Sequence, residues 1–189
     1  DVGTTTVKCA LFSVSEAHRD TTVDIGSCIA MERATVAAHR VDQETDPRLW
    51  SNAVKAVITR LPRTAENITA CVVTGNGPTL IPCDAKGLPV GLALPWLDSR
   101  ADREAKEIAR RTGITVDASF PLPKALWLTR KQPEVYKNSK WLLSCSEWIV
   151  FRLTGCAHTA IGAKGFDRFY WSEDALAALA LDQDRFPPF

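Results

Sequence analysis

The order of the sequence patterns predicts an α/β domain with a mixed β-sheet flanked by helices. Strand-type patterns come first, strand and helix patterns then alternate, and helix patterns dominate the second half of the chain. The length of 189 residues, with 46% hydrophobic and 24% charged residues, is typical of one globular domain. We therefore expect the first strands to form an antiparallel meander and the later strands to be connected through helices.

The first third of the chain predicts two strands and a helix. Residues 6–14 are apolar on both faces and rich in strand-forming side chains, which indicates a buried strand. A second strand pattern covers residues 24–36. Apolar residues then recur at helical spacing between Asp46-Pro47, where a helix begins, and Pro62, which ends it.

Three short apolar runs follow in the middle of the chain. Residues 68–73 predict a strand that breaks into a turn at 74–78, which contains two glycines and a proline. Residues 79–84 predict another strand, followed by a hairpin turn at 85–87. Residues 92–96 form the third apolar run.

The second half of the chain predicts mainly helices. Ser99 and Asp102 have the spacing of a capping box, and the helix that follows ends at Gly113. Another helix covers residues 121–131 and ends before Pro133.

The last part of the chain predicts a short buried segment and two further helices. The buried segment covers residues 141–145. Ser146 is the expected N-cap of a helix that ends at residues 154–155, and residues 172–181 are the last helix candidate.

The charge balance argues against two kinds of partner. Lys+Arg number 23 against 22 Asp+Glu, a net charge of +1, whereas a surface that follows nucleic-acid phosphates carries a basic excess. The chain has no apolar run near the ~20 residues that span a bilayer. We therefore expect neither a nucleic acid nor a membrane as a partner.

The cysteines and the chain ends bear on the cellular compartment. Six cysteines are scattered without a C-x-x-C pair, which argues against zinc and thioredoxin-like redox chemistry. With no signal-peptide pattern, a reduced cytoplasmic protein is the better interpretation. The chain begins at Asp1 instead of methionine and ends without a polar tail, and we interpret it as part of a longer protein.

The first eight residues carry the most informative chemical pattern. Gly3 permits positive φ, so a hairpin turn at this point can direct backbone N–H groups toward an anion, and the threonine hydroxyls can add donors to phosphate oxygens. Asp1 can hold Mg²⁺ directly or through water. Phosphoryl transfer needs this combination, although an ordinary hairpin with a Gly-Thr turn explains the residues equally well. The candidate phosphate-binding residues are Gly3, Thr4, Thr5 and Thr6.

A second candidate site lies where the apolar run 92–96 passes into a helix. Trp96, Asp98 and Arg100, the Trp-Asp-Arg trio, place an indole, a carboxylate and a guanidinium within five residues. Arginine can hydrogen-bond substrate hydroxyls, and the indole can face a sugar ring. Taken alone, the trio is explained better by a helix cap, a core tryptophan and a surface arginine. The chain has neither a Walker motif nor G-x-G-x-x-G, so a phosphate site must be of the hairpin type.

Together, these motifs resemble the amino-terminal domain of the FGGY carbohydrate kinases. Four stretches match the family's motifs in order, and the resemblance covers nearly the whole chain. They are residues 1–8; residues 44–47 with Trp50; residues 71–84 with Gly87 and the Trp-Asp-Arg trio; and Pro123-Lys124 with Leu126-Trp127, Pro133-Glu134 and residues 153–155. Each match alone is unspecific, but four in the right order are specific and favour the phosphate interpretation of the opening turn.

The resemblance implies a ribonuclease H-like domain of the actin type, and ATP-dependent phosphorylation of a sugar or polyol hydroxyl. It also implies that Asp1 serves Mg²⁺ and that residues 3–5 approach the β- and γ-phosphates of ATP. The general-base aspartate and the adenine pocket belong to a C-terminal ATP-binding domain, which residues 1–189 lack. We therefore expect the isolated chain to be nearly inactive, and a homodimer is one option for its assembly. The substrate-binding residues implied are Asn76, Trp96, Asp98 and Arg100.

Two departures from the family pattern favour an alternative. Residues 75–78 read Gly-Asn-Gly-Pro, where xylulokinases have G-Q-M-H and glycerol kinases have Q-R-E, which speaks against both substrates. Ala160 stands where the family has a substrate-facing aspartate. The alternative is a non-catalytic sugar-binding or regulatory relative. A third option, an acetate kinase or hexokinase relative, shares the opening hairpin but does not explain the Trp-Asp-Arg trio.

Overall fold

A computed structural model describes residues 1–15, 24–36, 44–62, 68–162 and 164–189. The chain is an α/β domain, as its sequence predicts. Two long strands come first, short strands and helices follow, and two single 3₁₀ turns lie near the end of the chain at Asp167–Phe169 and Gln183–Arg185. In chain order the elements are β1 Thr6–Ser15, β2 Asp24–Thr35, α1 Arg48–Arg60, β3 Ile81–Cys83, α2 Asp102–Thr112, α3 Pro121–Lys131, α4 Pro133–Asn138, β4 Trp141–Leu143, α5 Cys145–Thr154 and α6 Glu173–Ala178.

The strands form two antiparallel ladders. β1 pairs with β2, and Thr6 lies opposite Thr35 at the start of that ladder. β3 pairs with β4. The only parallel pairing among the described residues is a single bridge between Val2 and Gly75. The expected mixed sheet is thus represented, in the part of the chain that the structure describes, by two ladders and isolated bridges.

Two hydrophobic clusters form the core, and the segment 80–83 lies between them. Leu80 packs in one cluster and Ile81 in the other, because successive side chains of a strand point to opposite faces. The first cluster joins α1, β3 and α5, and it includes Trp50, Val57, Leu143, Trp148 and Phe151. The second joins α2, α3 and α6, and it includes Leu94, Ile108, Leu122, Leu128, Trp171 and Leu176.

Two helix ends have the expected local chemistry, and two expected caps are wrong. Gly113 ends α2 with a φ of 76° and Gly155 ends α5 with a φ of 75°, both in the left-handed region. The N-cap of α5 is Ser144, which forms a capping box with Glu147, so the expected cap at Ser146 is wrong. The expected capping box at Ser99 is also wrong, because α2 follows Ala101 and has no side-chain cap.

Four other elements differ from the expectation. Residues 68–73 form no strand, and Val72 is 89% exposed, because the described structure places no strand beside this run. Val7 is the one fully buried residue of β1, its neighbour Lys8 is exposed, and the far end is exposed at Phe12 and Val14, so the expected strand buried on both faces is wrong. α4 was not expected: Pro133 begins it, since the first turn of a helix does not use the missing proline N–H. The last helix, α6, is shorter than the expected 172–181.

Candidate functional site

The first eight residues fold into a tight hairpin. Val2 bridges Val7, and the N–H of Gly3 donates to the carbonyl of Thr6 at 3.0 Å, which closes a four-residue turn. A Cβ on Gly3 would lie 2.8 Å from that carbonyl oxygen, so only glycine fits. The glycine is therefore needed for close approach. The expected positive φ is wrong, because Gly3 is not among the glycines with positive φ.

The tip of this turn carries free backbone donors. Among the described residues, the N–H groups of Thr4 and Thr5 donate no hydrogen bond, while the carbonyl of Thr5 accepts one from Val36 at 2.9 Å. Adjacent N–H groups at a turn suit the oxygens of an anion such as a phosphate. Thr6 differs, since its backbone already belongs to the ladder with β2.

Asp1 lies at the open end of the hairpin, beside Lys8. The N–H of Lys8 donates to the carbonyl of Asp1 at 2.9 Å, and the Lys8 ammonium is 3.8 Å from the Asp1 carboxylate. Both side chains are about half exposed, so this ion pair contributes little. The described residues contain no cluster of three metal-ligating side chains. A single open carboxylate still fits Mg²⁺, which binds through one or two carboxylates plus phosphates and waters.

Trp96 connects the opening turn to the Trp-Asp-Arg trio. Its indole N–H donates to the hydroxyl of Thr4 at 3.3 Å, although the two residues lie 92 positions apart. Gly77 packs on the other side: it has a φ of 55°, and a Cβ there would lie 3.2 Å from the Cβ of Trp96. Three segments therefore converge at Trp96, whose side chain stays 40% exposed.

The rest of the trio forms a charge network. The Nε of Arg100 donates to Asp98 at 2.9 Å, and its Nη1 donates to Glu44 at 2.7 Å. Glu44 also accepts from Gln132 at 3.0 Å, and the guanidinium lies 5.0 Å from the ring centre of Trp127. Asp98 is only 4% exposed.

Charge and burial oppose each other at Arg100. Partial burial lowers the pKa of its guanidinium, but hydrogen bonds and charges from Asp98 and Glu44 more than offset this, and the pKa is raised overall. Arg100 is therefore a fixed cation, held on three sides before any substrate binds. An oriented guanidinium of this kind suits hydroxyl or anion recognition.

Asn76 uses both ends of its amide inside the protein. Its Oδ1 accepts from the Thr79 hydroxyl at 2.6 Å, and its Nδ2 lies 3.7 Å from the sulfur of Cys145. Burial raises the pKa of the Cys145 thiol to about 12, so the sulfur is neutral. Asn76 thus orients the 75–79 loop beside Trp96, and a direct substrate contact by Asn76 stays a prediction.

Sequence patterns missed several residues of this site. In the sequence, Glu44 lies in a family-like segment without any assigned role, and Trp127 is named only as part of another family-like stretch. Lys124 is fully buried in α3 and donates to backbone carbonyls of the site segments. The available signal for Lys124 was one charged residue within the otherwise uncharged run 121–128.

The fold and the site together define a domain of the ribonuclease H-like, actin-type class. The solved structure of a xyloylose kinase from Brucella ovis superposes on 99% of the chain with a TM-score of 0.79 at 22% identity, and 40% of that structure is covered. Residues 1–189 match the model of the FGGY family of carbohydrate kinases, N-terminal domain. The chain belongs to the FGGY family of carbohydrate kinases.

Sequence relatives agree with this assignment. A xylulose kinase from Streptomyces coelicolor is 31% identical over 163 residues, which cover 77% of this chain and 34% of the relative. A glycerol kinase from Gloeobacter violaceus is 26% identical over 206 residues, which cover 99% of this chain and 40% of the relative. The chain therefore spans between a third and two fifths of the length of these relatives.

Proposed function

We propose that the protein containing this chain transfers the γ-phosphoryl group of ATP to a hydroxyl of a sugar or polyol. The observation that carries this proposal is the hydrogen bond between Trp96 and Thr4, which joins the anion-type turn to the Trp-Asp-Arg trio. A phosphoryl donor and a hydroxyl acceptor must meet within a few ångströms, and this contact brings their candidate sites together.

The opening turn is the proposed phosphate site. The free N–H groups of Thr4 and Thr5 bind oxygens of the β- and γ-phosphates, and Gly3 lets the backbone approach closely. Asp1 holds Mg²⁺, which when bound neutralises charge on the phosphates. These donors are fixed by the hairpin before the nucleotide arrives, so little reorganisation is needed during transfer.

The Trp-Asp-Arg trio is the proposed sugar platform. The exposed part of the Trp96 indole offers an apolar face to the carbon-bound hydrogens of a sugar or polyol. Asp98 accepts from and Arg100 donates to its hydroxyls. The Asp98 Oδ2 is buried and has no hydrogen-bond donor of good geometry among the described residues, although Arg100 Nε lies 2.8 Å away, so its acceptance from a substrate hydroxyl requires this oxygen to become exposed when the sugar binds.

The remaining catalytic parts are proposed to lie in a C-terminal ATP-binding domain. The family resemblance assigns the general-base aspartate and the adenine pocket to that domain, and closure of two domains would exclude water from the phosphates. We accordingly expect chain 1–189 alone to be nearly inactive.

A cytoplasmic location, a homodimeric assembly and the absence of a nucleic-acid partner stay predictions. No described helix has the length and hydropathy needed to cross a membrane.

Coupled measurement of ADP release tests the proposal with the full-length protein and a panel of ketoses, polyols and sugar acids. We expect turnover with at least one compound, and we expect Asp1→Ala to abolish Mg²⁺-dependent turnover. Asp174→Ala is the matched control, since this exposed aspartate lies on α6 outside the site. Undiminished activity of Asp1→Ala would overturn the assignment of the metal site.

A second candidate function is a non-catalytic sugar-binding or regulatory protein. The inward-facing amide of Asn76 and the alanine at position 160 favour this candidate, because both reduce the polar groups offered to a sugar. Calorimetry on the full-length protein separates the two candidates. Sugar binding without any ATP turnover supports the regulatory protein, and sugar-dependent ADP release excludes it.

A further inference from the structure

Lys124 is a fully buried ammonium group in the middle of α3. Its side chain has 0% exposure, and its Nζ lies within hydrogen-bond distance of three backbone carbonyls. These acceptors belong to Pro78 at 3.0 Å, Leu94 at 3.3 Å and Pro95 at 2.7 Å. The three N–H donors of the ammonium are therefore matched by three acceptors.

The acceptors lie in the two segments that border Trp96. Pro78 directly follows Gly77, which packs against the Trp96 side chain. The carbonyl of Pro95 accepts from the N–H of Asp98 at 3.0 Å as well as from Lys124. Lys124 thus shares an acceptor with the backbone of the trio's carboxylate residue, and it reaches the neighbouring loop with the same nitrogen.

A buried charge at position 124 destabilises the folded protein unless its hydrogen bonds compensate for the loss of water. Burial lowers the pKa of Lys124 to about 7, while the negative charges of Asp98 and Asp117 oppose this shift and the positive charge of Arg100 adds to it. An apolar side chain of similar volume would pack among the buried neighbours of α3 without this penalty. Packing alone therefore does not explain a lysine at position 124.

We propose that Lys124 is a positioning residue for the sugar platform. Its ammonium ties the carbonyl of Pro78 to that of Pro95, and this fixes the distance between the 75–79 loop and the segment that carries Trp96 and Asp98. This inference rests on the proposed kinase function, because its effect is expressed through sugar binding. Lys124 contacts no substrate itself, since it has no exposed surface.

The test uses the full-length protein and its best sugar substrate. Lys124→Met keeps most of the length of the side chain but removes every N–H donor, and Lys124→Gln restores two donors on a chain as long as that of methionine. Lys55→Met is the matched control, because Lys55 is exposed on α1, away from the site. For each variant, kcat, the KM for sugar, the KM for ATP and the melting temperature are measured.

We expect Lys124→Met to raise the KM for sugar by about tenfold to 100-fold, as for a displaced binding group, with the KM for ATP unchanged. Lys124→Gln recovers part of this loss, and Lys55→Met behaves as wild type. An unchanged sugar KM in a folded Lys124→Met protein overturns this inference but leaves the proposed function standing. A proportional rise in both KM values has the same consequence. If neither variant folds, Lys124 is a structural residue and the inference fails. If the wild-type protein turns over no compound of the panel, the proposed function fails and this inference fails with it.

Discussion

Replacement of Arg100 by methionine gives the sharpest test of the charge network. The change removes the guanidinium from between Asp98 and Glu44 but keeps most of the side chain's volume. The two carboxylates differ in burial: the side chain of Asp98 is 3% exposed and that of Glu44 is 25% exposed. The loss of Arg100 therefore leaves one carboxylate buried without its cationic partner and the other in contact with water.

The expected magnitude follows from that difference. Breaking a buried ion pair by removing one partner destabilises by roughly 3–5 kcal/mol. Arg100 is itself 32% exposed, so water screens part of this effect, and we expect a loss of about 2–3 kcal/mol in the free energy of unfolding. Glu44→Gln keeps an acceptor for Arg100 and leaves no buried charge, so its expected loss is about 0.5–1 kcal/mol.

Urea unfolding followed by tryptophan fluorescence measures both losses. Arg103→Met serves as the control for removing an arginine from the start of α2, and we expect it to unfold as wild type does. Sugar KM is measured in parallel, and it rises for Arg100→Met because the platform loses its fixed donor. A loss for Arg100→Met no larger than that for Glu44→Gln would refute the argument from burial.

Three further predictions concern the turn, the indole and the buried lysine. Gly3→Ala places a Cβ 2.8 Å from the Thr6 carbonyl oxygen, so the turn must shift and the KM for ATP rises. An unchanged KM for ATP would contradict the argument that the turn needs a close approach of the backbone. Trp96→Phe removes the donor to Thr4 and lowers kcat/KM by the equivalent of about 0.5–1.5 kcal/mol. Trp141→Phe, outside the site, leaves kcat/KM unchanged. Because burial lowers the pKa of Lys124 from 10.5 to about 7, the unfolded chain binds more protons than the folded chain between these values, and this residue's contribution to stability rises with pH across that window. The unfolding free energy of wild type minus that of Lys124→Met therefore becomes more positive from pH 7 to pH 9, and a difference independent of pH would show that the lysine does not titrate in this way.

Helix ends were predictable because they depend on local chemistry. A glycine that can take positive φ ends α2 at Gly113, and the bounds of α3 are those predicted, between Pro121 and the residue before Gln132. The capping residue of α5 was misplaced by two positions, because Ser144 and Ser146 both satisfy the local pattern. Only Ser144 has a glutamate three residues later.

Contacts across the site could not be predicted from local patterns. Arg100 and Glu44 lie 56 positions apart, and the acceptors of Lys124 lie 29 to 46 positions away from it. The family resemblance brought the motifs into one region, but it did not say which side chains meet there. The strand predicted at residues 68–73 is wrong for a related reason. Residues with β propensity form a strand only where a partner strand lies beside them.

The arrangement of residues 80–83 between the two clusters restricts how this domain tolerates change. Leu80 faces one cluster and Ile81 the other, so both cores share a single stretch of backbone. Inserting or deleting one residue there would reverse the orientation of every following side chain in the strand, and would expel apolar groups from both cores at once. Evolution can vary the loops on either side in length, but this stretch is confined to substitutions that preserve its register.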